Sequence, residues 1–358
     1  MNWGSWNRGP TIGRGATATV SLAAVPASDL LFAVKSMELN GSAPLQREKE
    51  ILSGLDSPHV VSYLGFDVTS AGGRECYNLF MEYAPGGSLA EEIKRHGGKL
   101  DEIGIRARAR EILLGLAYLH ANRVAHCDIK GENIVIGADG KAKIADLGCA
   151  KELGDYSDRR IRGTPAFMAP EVARGEAQGP EADIWALGCT VIQMATGKAP
   201  WLDSDPLAVL HRIAFSGESP PLPPSLSDDA RDFLSRCLMK IPSERWSADE
   251  LLIHPFLSSS SETHWISPKS TLDKDVWDSL TDDDEEEEEE EEESPASDPL
   301  ESPAERLGVL FTEDFSGSPN WTWDENWMPV RSFEIIEEEE ELELMVSRLW
   351  YLKHGELK

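Results

Sequence analysis

The stretch "AHCDIKGEN", Ala125 to Asn133, decides how this chain is read. It brings together an aspartate (Asp128), a lysine two places on (Lys130) and an asparagine three beyond that (Asn133). One residue stands out. Between His126 and Asp128 sits Cys127, a nearly neutral thiol with only a weak S–H donor.

Upstream, the chain reads as short strands with one helix. "TATVSLAAV" and "LLFAVKSME" are apolar, β-branched runs separated by the turn signal Pro26-Ala-Ser-Asp29. "PLQREKEILSGL" sets Leu45, Leu52 and Leu55 on one side, with Pro44 near its start and Pro58 past its end, which predicts a helix. "YNLFMEYAPGGSL" predicts a further strand, stopped at Pro85-Gly86-Gly87. Beyond it the pattern lengthens. "EIGIRARAREILLGLAYLHANR" is amphipathic over several turns, and "ADIWALGCTVIQMATG" is apolar nearly throughout, as a buried helix is. The expected class is α+β, with a β-rich lobe over residues 1–85, a helical lobe over 86–257 and a cleft between them.

The formal charge of −30 is unevenly spread. From Ser258 to Lys358 there are 31 acidic and 7 basic residues, while the preceding 257 residues carry 33 and 27. The body is mildly acidic and the acidity belongs to the tail. No basic strip offers to neutralise a nucleic-acid backbone, so a nucleic-acid partner is not expected. Five scattered cysteines form no C-x-x-C pair and fit a reducing intracellular compartment rather than a disulfide framework. No signal-peptide pattern opens the chain, and no run approaches the roughly 20 apolar residues that span a bilayer. A cytoplasmic or nuclear location is expected, with no membrane partner.

Phosphoryl transfer from ATP needs a cover over the phosphates, a cation on them, metal ligands and a carboxylate to orient the attacking hydroxyl. "IGRGATATV", Ile12 to Val20, offers Gly13 and Gly15 in a strand–turn–strand setting, where backbone N–H groups can approach phosphate oxygens. "FAVK" holds Ala33 and Lys35 on the next strand, and Glu48 is followed at +3 and +4 by Ile51 and Leu52; the resemblance drawn below implies that Glu48 pairs with Lys35. Glu50 is a rival, but the apolar spacing favours Glu48. "ADLG" carries Asp146 and Leu147 downstream of the opening stretch. Each of these residues alone has an ordinary structural reading. Their occurrence together, in this order and at these intervals, does not.

Together these segments resemble protein kinases over Trp6 to Leu257: G-x-G-x-x-G with Ala18 as its third member, V-A-I-K, H-R-D-x-K-x-x-N and D-F-G with Leu147 for Phe. The resemblance implies Lys35 as the phosphate cation, Asp128 as catalytic base, Lys130 steadying the transferring phosphate, and Asn133 and Asp146 holding Mg²⁺ with ATP. It also implies Met81 as gatekeeper, with Glu82, Tyr83 and Ala84 as the hinge that receives adenine, below Ile12, Val20 and Ala33. "GTPAFMAPE" resembles the end of an activation segment, which contains Ser157 and Thr164. Glu171 would pair with Arg245, Asp183 would hold the catalytic loop's backbone, and His126 would pack beneath Leu147. Lys130 together with Gly163-Thr164-Pro165 is similar to the serine/threonine branch.

The segments "GRGATATVSLA", "HCDIKGEN", "RGTPAFMAPEVARGE" and "ERWSADELLIHPFL" narrow the resemblance to plant mitogen-activated protein kinase kinase kinases of the MEKK-like group. That family acts on MAP kinase kinases, which is the partner the resemblance implies. The rival reading is a catalytically silent ATP-binding scaffold that works through its tail. Retention of Lys35, Glu48, Asp128, Asn133 and Asp146 favours the enzyme.

The tail, residues 258–358, holds twelve consecutive acids from Asp282 to Glu293; such a run repels itself and stays solvated, and a largely disordered acidic tail is expected. Trp321, Trp323 and Trp327 are costly to leave in water, so a tail-binding protein or contact with the body is expected. Met345, Val346 and Leu349 recur at helical spacing and predict a short helix near 341–352.

An arginine before the catalytic aspartate belongs to a basic pocket that a loop phosphate fills; Cys127 neither grips a phosphate nor leaves a cation needing one. Arg159, Arg160 and Arg162 could still receive a phosphate on Ser157 or Thr164. Protein treated with phosphatase is therefore expected to keep transferring phosphate to a MAP kinase kinase. Loss of activity on that treatment would refute this reading of Cys127.

Overall fold

Alternating β-branched and apolar residues between turn signals build the first lobe as a five-stranded antiparallel sheet: β1 (Asn7–Arg14), β2 (Thr19–Val25), β3 (Leu30–Glu38), β4 (Tyr63–Ala71) and β5 (Arg74–Glu82). The order across the sheet is β1-β2-β3-β5-β4. A helix, α1 (Ala43–Ser53), enters between β3 and β4. The structure, a computed structural model, describes residues 6–15, 18–26, 30–71, 74–154, 160–201 and 205–258. Ser157, Arg159, and the tail with its acidic run, its tryptophans and the helix expected near 341–352 lie outside the described residues.

The period-2 alternation of strands splits the sheet's residues between two faces. Phe32, Val34, Phe80 and Ala23 form a buried cluster on one face, closed by Trp6, whose ring meets Phe80 edge-on at 5.3 Å. On the other face Lys35 lies opposite Leu79 and Ala33 opposite Met81. That face packs on α1. The helix buries Leu45, Glu48, Ile51 and Leu52, one stripe at helical spacing. Glu50, the rival to Glu48, is exposed.

The second lobe is helical: α2 (Leu89–Arg95), α3 (Glu102–Ala121), α4 (Pro170–Ala173), α5 (Pro180–Thr196), α6 (Pro206–Phe215), α7 (Asp228–Cys237), α8 (Ala248–Leu252) and α9 (Pro255–Ser258). Two short ladders lie among them, β6 (Val124–Ala125) with β9 (Lys151–Glu152) and β7 (Ile134–Ile136) with β8 (Ala142–Ile144). Asp101 caps α3 by accepting the Gly104 N–H at 2.8 Å, and Ser88 forms a capping box with Glu91 on α2. The core centres on α5, which buries thirteen of its seventeen residues, Trp185 and Leu187 among them.

The lobes are tied at a second place besides the hinge. The Ile144 N–H donates to the His59 carbonyl at 2.8 Å, and the Val61 N–H donates to the Ile144 carbonyl at 2.9 Å. Gly115 on α3 lets this loop come close, since a Cβ there would lie 2.8 Å from the His59 oxygen. The α1–β4 connection thus belongs, by its hydrogen bonds, to the helical lobe.

One buried ion pair closes the helical lobe. Arg245 donates to Glu171 through Nη1 at 2.8 Å and through Nη2 at 3.1 Å, as a two-pronged fork. Its guanidinium also reaches the carbonyls of Met239 and Glu181 and lies 5.4 Å from the Trp185 ring centroid. Removing one partner strands a charge away from water. Arg245→Ala is expected to cost about 3–5 kcal/mol of stability, read as a shift of the urea unfolding midpoint. A shift under about 1 kcal/mol, the scale of an exposed pair, would refute the burial of the pair.

Candidate active site

Three elements far apart in sequence meet at Lys35. Its Nζ lies 2.6 Å from Glu48 Oε2 on α1 and 2.9 Å from Asp146 Oδ1 in the turn after β8. Burial works against the charge on Lys35, but the two carboxylates outweigh it and hold the ammonium above its ordinary range. Glu48 is pushed up by burial and by the nearby Asp146 carboxylate, which the Lys35 ammonium and the Leu147 backbone do not fully offset. For Asp146 burial also pushes up, but the Lys35 ammonium and the Gly148 N–H prevail, and the carboxyl lies below the usual range. Asp146 holds a left-handed backbone, φ 60°, uncommon for a residue with a side chain.

Asp128 is oriented from two sides. Its Oδ1 accepts from the Thr164 N–H at 2.9 Å and the Thr164 hydroxyl at 2.8 Å. Its Oδ2 accepts from Asn133 Nδ2 at 2.8 Å and lies 3.0 Å from Lys130 Nζ. Lys130 also donates to Thr164 Oγ1 at 2.5 Å, so the Thr164 hydroxyl is committed between the carboxylate and the ammonium. That engagement sets Thr164 in the loop's own machinery, where a phosphate would displace both bonds.

Beneath these residues sits Asp183, fully buried. It accepts the N–H of His126 at 2.8 Å, the N–H of Cys127 at 2.7 Å and a bond from His120 Nε2 at 2.9 Å. Cys127 has φ 68°, a conformation these bonds help maintain. His126 is buried, and its Nε2 lies 3.0 Å from the Ala145 carbonyl. His120 was not singled out by any motif; a histidine late in an amphipathic helix gives no signal of what it touches.

At the cleft's outer edge, Ala33 and Met81 are buried cross-strand neighbours, Val20 is half-buried opposite Lys35 and Gly13, and Ile12 is exposed. In the hinge the Ala84 N–H has no partner among the described residues. The Glu82 side chain turns to the second lobe: Oε1 meets Lys143 Nζ at 2.5 Å and Oε2 accepts the Ser62 N–H at 3.2 Å. Sequence reasoning missed Lys143, which looks like any solvated strand lysine.

ATP and Mg²⁺ fit what is present. A Cβ at Gly13 or Gly15 would meet nothing of the protein closer than 3.5 Å, so the chain's own packing does not demand glycine there. A ligand lying under the hairpin would. Asp146 Oδ2 and Asn133 Oδ1 make no hydrogen bond among the described residues and are the hard oxygen donors that Mg²⁺ takes. No group of three or more His, Cys, Asp or Glu suited to a metal occurs among the described residues, so a metal here leans on phosphate and water for the rest of its shell.

The protein kinase domain model matches residues 6–257. Mitogen-activated protein kinase kinase kinase 18 of Arabidopsis thaliana is 46% identical over 352 residues, covering 91% of this chain and 99% of that protein. Mitogen-activated protein kinase kinase kinase 17 of Arabidopsis thaliana is 47% identical over 291 residues, covering 78% of each chain. Mitogen-activated protein kinase kinase kinase 20 of Arabidopsis thaliana is 40% identical over 356 residues, covering 91% of this chain and 99% of that protein.

Two thiols border the site. Burial, with the Asp183 carboxylate, raises the buried Cys127 thiol well above its ordinary range. Cys149, half-buried in the turn after Asp146, is pushed up to about 12 by burial and by the carboxylates of Asp128 and Asp146. At pH 8 only about one Cys149 in ten thousand would be thiolate, the reactive form. Cys149 is expected to alkylate with iodoacetamide far more slowly in the native protein than in urea, as followed by peptide mass spectrometry. Equal rates in the two conditions would refute the burial and the repulsion.

Proposed function

The chain belongs to the protein kinase family, among the mitogen-activated protein kinase kinase kinases, and from that premise we propose that it transfers the γ-phosphoryl group of ATP to serine or threonine hydroxyls of a MAP kinase kinase. The observation that carries the reading is the Lys35 ammonium, held at 2.6 Å by Glu48 and at 2.9 Å by Asp146. It places one cation at the junction of the sheet, α1 and the Asp146 turn. ATP brings the phosphoryl group; Asp146 and Asn133 would hold Mg²⁺, which would supply positive charge against the phosphate oxygens.

The chain's own residues do the rest. Lys35 pairs with phosphate oxygens and stays protonated because its two carboxylate neighbours hold its charge. Asp128 receives the proton of the attacking hydroxyl as the new O–P bond forms, and the bond to the departing ADP oxygen breaks. Its carboxylate needs no search for its geometry, since Thr164 and Asn133 fix its two oxygens. Lys130, 3.0 Å from Asp128, sets a second cation where negative charge accumulates. Adenine is received at the Ala84 N–H, beneath Ala33 and Val20, with Met81 behind it. Selection of serine and threonine over tyrosine is supported by Lys130, two residues after Asp128, and by its hydrogen bond to Thr164, the pairing that resembles the serine/threonine branch.

Asp128→Asn tests the assignment. The amide keeps the shape and loses the proton acceptor, so kcat toward a MAP kinase kinase is expected to fall by about 10²–10⁴-fold, the usual contribution of a general base. KM for ATP should change little. Transfer that survives the substitution at wild-type rate, or no transfer by either form, refutes the reading.

A further inference from the structure

Resting on that reading of the cleft, we propose that Gln178 is a positioning residue that joins the activation segment to the catalytic loop without a phosphate. Gln178 lies between α4 and α5, and its hydrogen bonds go to Arg162 and Cys127 rather than to Lys35 or Asp146. Its carboxamide grips the backbone of Arg162 from both sides. Oε1 accepts the Arg162 N–H at 3.3 Å, and Nε2 donates to the Arg162 carbonyl at 2.8 Å. The same Nε2 lies 3.4 Å from the Cys127 carbonyl, on the catalytic loop. One neutral side chain therefore spans the two segments on which the placing of Asp128 depends.

The contact continues along both chains. Gly163, next to Arg162, has φ 117°, and a Cβ there would lie 2.4 Å from the Cys127 oxygen, so only glycine lets the backbones touch. One residue further, Thr164 gives Asp128 Oδ1 its two hydrogen bonds. Gln178 closes one end of this seam and Thr164 the other. The Cys127 thiol takes no part, since its Sγ turns to the Ala125 carbonyl at 3.6 Å.

The chemistry suits a phosphate-free connection. A carboxamide donates and accepts, carries no charge and needs no counter-ion, so the seam's energy does not depend on a phosphate elsewhere on the segment. A displacement of about 1 Å at a catalytic carboxylate costs about 10²-fold in rate. Loss of the carboxamide should thus appear in turnover, while nucleotide binding, which rests on Lys35 and the hairpin, is spared.

The test uses the full chain after phosphatase treatment, with a catalytically dead MAP kinase kinase as acceptor and with thermal midpoints measured alongside. Gln178→Met fills a similar volume with no hydrogen-bonding group, and Gln178→Glu is isosteric but as a carboxylate cannot donate to the two carbonyls. Both are expected to lower kcat about tenfold or more, with KM for ATP within about twofold of wild type and the melting temperature little changed. Wild-type kcat in either variant overturns the proposal, as does a loss that tracks a lowered melting temperature, which would mark a structural role. If the wild-type chain transfers no phosphate even before phosphatase treatment, the reading of the cleft falls and this inference with it; activity lost only on the treatment overturns the phosphate-free connection and leaves the cleft reading standing. An active wild type beside unaffected variants removes this inference alone.

Discussion

Everything in the cleft hangs from one buried carboxylate. Asp183 is taken out of water at a cost of several kcal/mol, and three donors offset that cost: the N–H groups of His126 and Cys127 and the ring of His120. Two consecutive N–H groups can point at one carboxylate only if the backbone bends sharply between them, which Cys127 does at φ 68°. That bend aims Asp128 away from the core and toward Thr164 and Lys130. Without the anchor the loop has no reason to keep a strained conformation, and the next residue loses its direction.

How much of this was legible in the chain depends on whether a residue's partner lies in a periodic pattern. Glu48 could be chosen over Glu50 because it falls on the stripe of Leu45, Ile51 and Leu52, and the structure buries the first and exposes the second. Asp128, Asn133 and Asp146 stand in short runs of fixed spacing; in the fold Asp128 and Asn133 share a hydrogen bond, and Asp146 pairs with Lys35. The strands with strong apolar runs, β2, β3 and β5, were also readable. The edge strand β4 was not. Gly65 interrupts it, and its Phe66 and Val68 remain half-exposed, so neither continuous apolarity nor clean alternation marks it.

Side chains whose partners lie far along the chain are silent in the sequence. Resemblance marks Glu82 as a hinge residue for its main chain, yet its carboxylate spans to Lys143 on the other lobe. Thr164 was read as a loop hydroxyl open to modification, and the folded chain commits it to Asp128 and Lys130. Gln178 drew no notice because an amide in a turn matches no pattern. Its meaning appears only when Arg162 and Cys127, far apart in the chain, are seen side by side. Charge and periodicity reveal which residues are costly to place; they do not reveal a neutral group that bridges two main chains.

The tie between the α1–β4 loop and Ile144 bears on how the cleft can move. His59 and Val61 are bonded to the helical lobe, while α1 and β4 on either side belong to the sheet. With a second line of attachment at the hinge, sliding one lobe across the other would break both sets of bonds at once. Swinging about the axis through them breaks neither. The geometry therefore favours a door on two pins, in which α1, and with it Glu48, swings along an arc about that axis.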